Sequence, residues 1–112
     1  MNRRHFTALA LGVWSQGHWG AAAAQGAPGT VCLVVGDSLS AEYGLRRGSG
    51  WVALLGQRLA QQAPSVQVVN ASVSGDTTAG GLSRLPALLR QHQPQVLVIE
   101  LGGNDALRGL PL

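Results

Sequence analysis

The 112-residue sequence has a single cysteine, and all eight of its basic residues are arginines. A lone thiol, Cys32, cannot close an internal disulfide. It lies in an apolar run, where a buried, inert core position is the expected role. No apolar run reaches the roughly 20 residues that a membrane-spanning helix requires, so no stable membrane anchor is expected. Neither Gly-x-x-x-x-Gly-Lys-Ser/Thr nor Gly-x-Gly-x-x-Gly occurs, which removes two phosphate-cradling loops. The arginines form no basic stripe, so the high pI of about 10.5 is no argument for a nucleic-acid partner. Internal repeats and long low-complexity segments are absent too.

What is present begins with an export signal. Arg3 and Arg4 form a basic start, Phe6 to Trp14 is mostly apolar, and Ala21 to Ala24 supplies small residues for cleavage. That order is the mark of a secreted or periplasmic protein, with the cut expected near Ala24. The Arg3-Arg4 pair followed by Phe6 suits the twin-arginine route, and an ordinary secretory signal remains open. Without Arg3 and Arg4, six arginines face five acids: Asp37, Glu42, Asp76, Glu100 and Asp105. Residues 1–24 therefore read as signal, 25–30 as linker and 31–112 as the folded part.

Three apolar runs read as strands: Val31 to Val35, Val66 to Val69, and Val96 to Ile99 extended by Glu100 and Leu101. The continuous run of Val31 to Val35, ended by Gly36-Asp37, is the pattern of a strand buried on both faces. Two helical patterns lie between them. Trp51, Leu54, Leu55 and Leu59 share one helical face, as do Leu82, Leu85, Leu88 and Leu89. Pro86 predicts a kink or restart, and Pro94 an end. Alternating strands and helices predict an α/β fold with a parallel sheet.

Each strand is followed by a polar, glycine-containing segment: Gly36-Asp37-Ser38, then Asn70 to Thr77, then Gly102-Gly103-Asn104-Asp105. A parallel sheet brings all three to its carboxyl edge, where open α/β folds bind ligands. Ser38 is expected at the turn from strand into helix, where free N–H groups and the helix dipole favour a developing anion. Gly75 lets its backbone N–H approach a ligand closely, and Asn104 carries an amide donor. A hydroxyl nucleophile with such donors makes an acyl-transfer site. Taken singly, each segment is also ordinary turn chemistry; the ordered set of three carries the functional reading.

Gly36-Asp37-Ser38-Leu39-Ser40, Gly75 within Asn70 to Thr77, and Gly102-Gly103-Asn104-Asp105 resemble the first three blocks of the GDSL, or SGNH, hydrolases. Leu82 to Leu89, His92-Gln93-Pro94 and Glu100 to Asp105 extend the likeness toward the periplasmic acyl-CoA thioesterase, lysophospholipase and arylesterase group. The resemblance implies a three-layer α/β/α, flavodoxin-like fold, of which this chain carries the first part. It further implies a serine hydrolase of small-molecule esters or thioesters that needs no metal or cofactor. Ser38 would be the nucleophile; the N–H groups of Ser38 and Gly75 and the side chain of Asn104 would hold the oxyanion. Asp37 and Asp105 would brace the loops.

The family's fourth block, Asp-x-x-His, has no counterpart here. The histidines are His5, His18 and His92. His5 and His18 fall in the signal, and His92 belongs at the amino edge of the sheet. A strand of five or six residues separates the edges by roughly 17–20 Å, too far for a base. The chain is therefore expected to be the N-terminal part of a longer protein. Two alternatives remain open: a truncated, inactive product, and a non-catalytic small-ligand-binding α/β module.

Overall fold

The computed structural model describes residues 29–112. The expected export signal, most of the 25–30 linker, and His5 and His18 lie outside the described residues. Six elements follow one another: β1 (Val31–Gly36), α1 (Trp51–Gln62), β2 (Gln67–Asn70), α2 (Thr78–His92), β3 (Val96–Glu100) and α3 (Gly103–Leu107).

All strand pairs are parallel and the sheet order is β2-β1-β3. β1 has a strand on each side, which explains its continuous apolar composition. Cys32, Leu33, Val34 and Val35 are all buried and form most of the core. Cys32 is thus the buried core thiol that its apolar surroundings predict. Full burial of each such aliphatic side chain contributes roughly 1.5–3 kcal/mol.

Successive crossovers move first to one side of β1 and then to the other, and right-handed connections then put the two helices on opposite faces. The packing agrees. Val35 and its register partner Ile99 line an apolar cavity with Gly81, Leu82 and Leu85 of α2. Val68, paired with Cys32, lies against Gly56 of α1. Cys32 and Val35 are three residues apart, so they point to opposite faces. The architecture is a parallel sheet between helices.

The structure corrects several local expectations. β2 lies one residue later than its apolar run, and β3 ends at Glu100 rather than Leu101. α2 starts four residues before Leu82, because Thr77 Oγ1 accepts the Gly80 N–H at 3.2 Å and caps it there. The helix continues through Pro86 without a restart. Leu82, whose carbonyl would have received the bond that proline cannot make, is exposed. In place of the loop considered for Gly102 to Asp105, a short helix, α3, begins at Gly103.

The apolar stripes of the helices are also offset. Trp51 and Leu54 are exposed while Val52 is buried, and Leu82 and Leu89 are exposed while Gly81 is buried. Gly81 lets α2 seat on the face that contains it, since a Cβ there would press on the Leu101 side chain. β3 is an edge strand among the described residues, and its Val96, Leu97 and Ile99 are exposed.

Candidate active site

The carboxyl ends of β1 and β3 are neighbours, with Gly36 paired to Glu100. The chain leaves β1 toward β2 on one side and reaches β3 on the other, so this is the switch point at which such sheets form ligand crevices. Segments 37–41 and 102–105 meet there, with 70–77 alongside.

Ser38 does not lie at the start of a helix. Residues 37–41 make a single helical turn, in which Ser40 N and Ala41 N donate to the Asp37 carbonyl at 3.1 and 2.9 Å. Glu42, with φ of 62°, ends it in the left-handed region. The Glu42 carboxylate then accepts the Gly48 and Gly50 N–H groups, both at 2.8 Å. That folds the approach to α1, which starts only at Trp51. The stabilising field of a long helix is therefore absent from Ser38, while the free N–H argument stands.

Asp37 is buried, and its Oδ1 accepts the Leu39 N–H at 3.0 Å. Ser40, equally buried, donates to Glu100 Oε1 at 2.7 Å and accepts from Trp51 Nε1 at 3.0 Å. Its carbonyl accepts from Asn70 Nδ2 at 2.8 Å, while Asp37 N reaches Glu100 Oε1 at 3.3 Å. The approach is so tight that a Cβ at Gly36 would lie 2.7 Å from Ser40 Oγ and 2.9 Å from Glu100 Oε1. Ser38 is thus carried on a turn fastened on both sides, and its own side chain remains half-buried.

In the second loop, Asp76 N donates to the Val73 carbonyl at 3.2 Å, closing a four-residue turn with Gly75 at its third position. The φ of Gly75 is 84°, the left-handed value that a type II turn requires there. Asp76 Oδ1 accepts the Thr77 N–H at 3.1 Å, and Oδ2 pairs with Arg84 Nε at 2.7 Å.

Asn104 joins the loops. Its Nδ2 donates to the Asp76 carbonyl at 2.9 Å and faces Asp37 Oδ2 at 3.4 Å. The Arg108 guanidinium reaches the Gly75 carbonyl at 3.1 Å. Asp105, buried beside Asn104, accepts the Thr78 hydroxyl at 2.6 Å and the Thr78 N–H at 2.9 Å. The Thr78 hydroxyl, and then its N–H, hold the Asp105 carboxyl below its ordinary pKa.

Both the Ser38 turn and the Gly75 turn hold backbone donors without an acceptor. Among the described residues, the N–H groups of Leu39, Ser40 and Ala41 all have acceptors, whereas that of Ser38 has none. In the second loop Asp76 and Thr77 are likewise engaged, and the N–H groups of Ser74 and Gly75 are not. Ser38, Gly75 and Asn104 are therefore gathered at one edge, with the Ser38 and Gly75 N–H groups lacking acceptors among the described residues and the Asn104 amide engaged at 2.9 and 3.4 Å. His92 ends α2, and Gln95, three residues on, bonds to the Val31 carbonyl at the amino end of β1. It is not brought into this cluster. Among the described residues no three His, Cys, Asp or Glu side chains gather as a metal site.

Sequence pattern alone does not mark Ser40, Trp51, Asn70, Thr78 or Arg84 as supports. Glu100 leaves one signal: a carboxylate ending an apolar strand beside a glycine-ended neighbour needs donors from the adjoining loop.

Residues 34–112 match the GDSL-like Lipase/Acylhydrolase family. The esterase TesA of Pseudomonas aeruginosa is 60% identical over 86 residues, which is 77% of this chain and 43% of that protein. Thioesterase 1/protease 1/lysophospholipase L1 of Escherichia coli is 54% identical over 77 residues, 69% of this chain and 36% of the other. A crystal structure of the psychrotrophic esterase EstA from Pseudoalteromonas sp., inhibited by monoethylphosphonate, superposes with a TM-score of 0.68. It is 48% identical and covers 73% of this chain and 45% of its own. The chain thus spans under half the length of these relatives. Over that span, the three strand-end loops and the parallel sheet that assembles them place the chain in the GDSL-like lipase/acylhydrolase family.

Proposed function

We propose that the protein is a serine hydrolase of carboxylic esters or thioesters, working through an acyl-enzyme at Ser38. The observation that carries this reading is the unmatched pair of N–H groups at Ser38 and Gly75, beside the Asn104 amide. Backbone donors fixed in place without an acceptor suit a charge that appears only during reaction. The contact between Asn104 Nδ2 and Asp37 at 3.4 Å is long for a hydrogen bond, so an oxyanion can compete for that hydrogen. The names of the relatives, esterase and thioesterase/lysophospholipase, point to the same bond type.

In this mechanism Ser38 Oγ bonds to the acyl carbon as its proton passes to a histidine from outside residues 29–112. The three donors hold the oxyanion, the alcohol or thiol departs with the proton, and water repeats the sequence to release the acid. The test is hydrolysis of a p-nitrophenyl ester and an acyl-CoA by the full-length protein. Ser38→Ala should abolish both, and Asn104→Ala should lower kcat by about 10²–10³. Unaltered turnover in Ser38→Ala would refute the proposal.

A further inference from the structure

Arg84 is the least expected participant at this edge. It projects from α2, with its side chain three-quarters buried and 25% exposed. Its guanidinium serves three acceptors on two segments at once. Nε pairs with the Asp76 carboxylate at 2.7 Å, Nη1 donates to the Ala71 carbonyl, and Nη2 reaches the Gly36 carbonyl at 3.4 Å. Gly36 is the last residue of β1, two before Ser38. Ala71 follows β2 directly, and Asp76 follows Gly75.

We propose that Arg84 is the positioning residue for the oxyanion donors, setting the spacing between the Ser38 turn and the Gly75 turn. It touches neither substrate nor reacting atoms. Its effect on Gly75 runs through the Asp76 carboxylate, and its effect on Asn104 through the Asp76 carbonyl, which takes the Asn104 amide at 2.9 Å. A planar fork with five donors can face a carboxylate and two carbonyls together, whereas a lysine ammonium presents one point charge on a flexible stem. Asp76 in turn stays in place because Thr77 N holds its other oxygen at 3.1 Å. The side chain is therefore a tie between two loops of the sheet edge rather than a surface ion pair.

The inference rests on the serine-hydrolase reading, and one set of variants separates the two. Full-length wild type, Arg84→Lys, Arg84→Met, Asp76→Asn and Ser38→Ala are compared on a p-nitrophenyl ester, well below each melting temperature. Misplacing reacting groups by about 1 Å costs on the order of 10²-fold. Arg84→Met and Asp76→Asn should therefore lose about 10- to 100-fold in kcat with KM changed less than threefold. Arg84→Lys should recover only a minor part of that loss. A purely structural role would lower the melting temperature and leave kcat of the folded protein intact; wild-type kcat in Arg84→Lys or Asp76→Asn overturns the proposal. Should Arg84→Met fail to fold, those two variants still decide the matter. If Ser38→Ala retains full activity, the hydrolase reading fails first, whatever Arg84 does.

Discussion

The turn that carries Ser38 can be tested without any substrate, through the contact between Gly36 and Ser40. Gly36→Ala adds a Cβ that would stand 2.7 Å from Ser40 Oγ, 2.9 Å from Ser40 Cβ and 2.9 Å from Glu100 Oε1. Backbone and buried side chains must yield, and such overpacking costs typically about 1–3 kcal/mol. Ser40→Ala removes the hydroxyl that donates to Glu100 and accepts from Trp51. A hydrogen bond to a charged group contributes about 1.5–3 kcal/mol, so a similar loss is expected. The two changes act on one contact, because two of the three close atoms belong to Ser40. Removing Oγ should relieve part of the Gly36→Ala clash. The double variant should then be less destabilised than the sum of the singles by at least about 0.5 kcal/mol, beyond the scatter of independent sites. Urea unfolding of the four proteins, followed by tryptophan fluorescence and circular dichroism together, supplies the numbers. Simple additivity would refute the claim that Ser40 is wedged against the end of β1.

Two further outcomes follow from other parts of the molecule. Asp105 has its carboxyl pKa lowered in the folded state, chiefly by the Thr78 hydroxyl and then by the Thr78 N–H. The unfolded chain, with an aspartate near 3.9, binds the proton more readily. The associated stability is therefore present above about pH 4 and is lost as pH falls through the lower folded value. Urea midpoints between pH 2 and 6 should converge for wild type and Asp105→Asn as the solution is acidified, and a constant gap would contradict the assignment. Separately, we propose export, directed by Arg3, Arg4 and the apolar run to Trp14. Cell fractionation should find the protein outside the cytoplasm and cut near Ala24; full-length protein confined to the cytoplasm would reject this.

The strands and the three loops are legible because they rest on local composition. Five apolar residues before Gly36-Asp37 give β1 almost to the residue, and parallel topology then carries Ser38, Gly75 and Asn104 to one edge. What is not legible depends on partners distant in sequence. α2 begins at Thr78 partly because Asp105, 27 residues away, accepts its N–H. The buried face of α1 is marked by Val52 rather than Trp51 or Leu54, and that of α2 by Gly81, where a Cβ would press on the Leu101 side chain. Counting leucines therefore selects a face rotated from the true one. The helix anticipated at Ser38 reduces to one turn because Glu42 adopts a positive φ and takes two N–H groups six and eight residues ahead. Nothing local in the sequence marks Arg84, whose partners Gly36, Ala71 and Asp76 come from two other segments.

Reacting the full-length protein with a fluorophosphonate probe shows whether Ser38 is the nucleophile. Peptide mass spectrometry then locates the adduct. One adduct is expected, on the peptide containing Ser38, formed at a rate that parallels loss of esterase activity and absent from Ser38→Ala. Labelling of another residue, or esterase inactivation that persists in Ser38→Ala, would contradict that role.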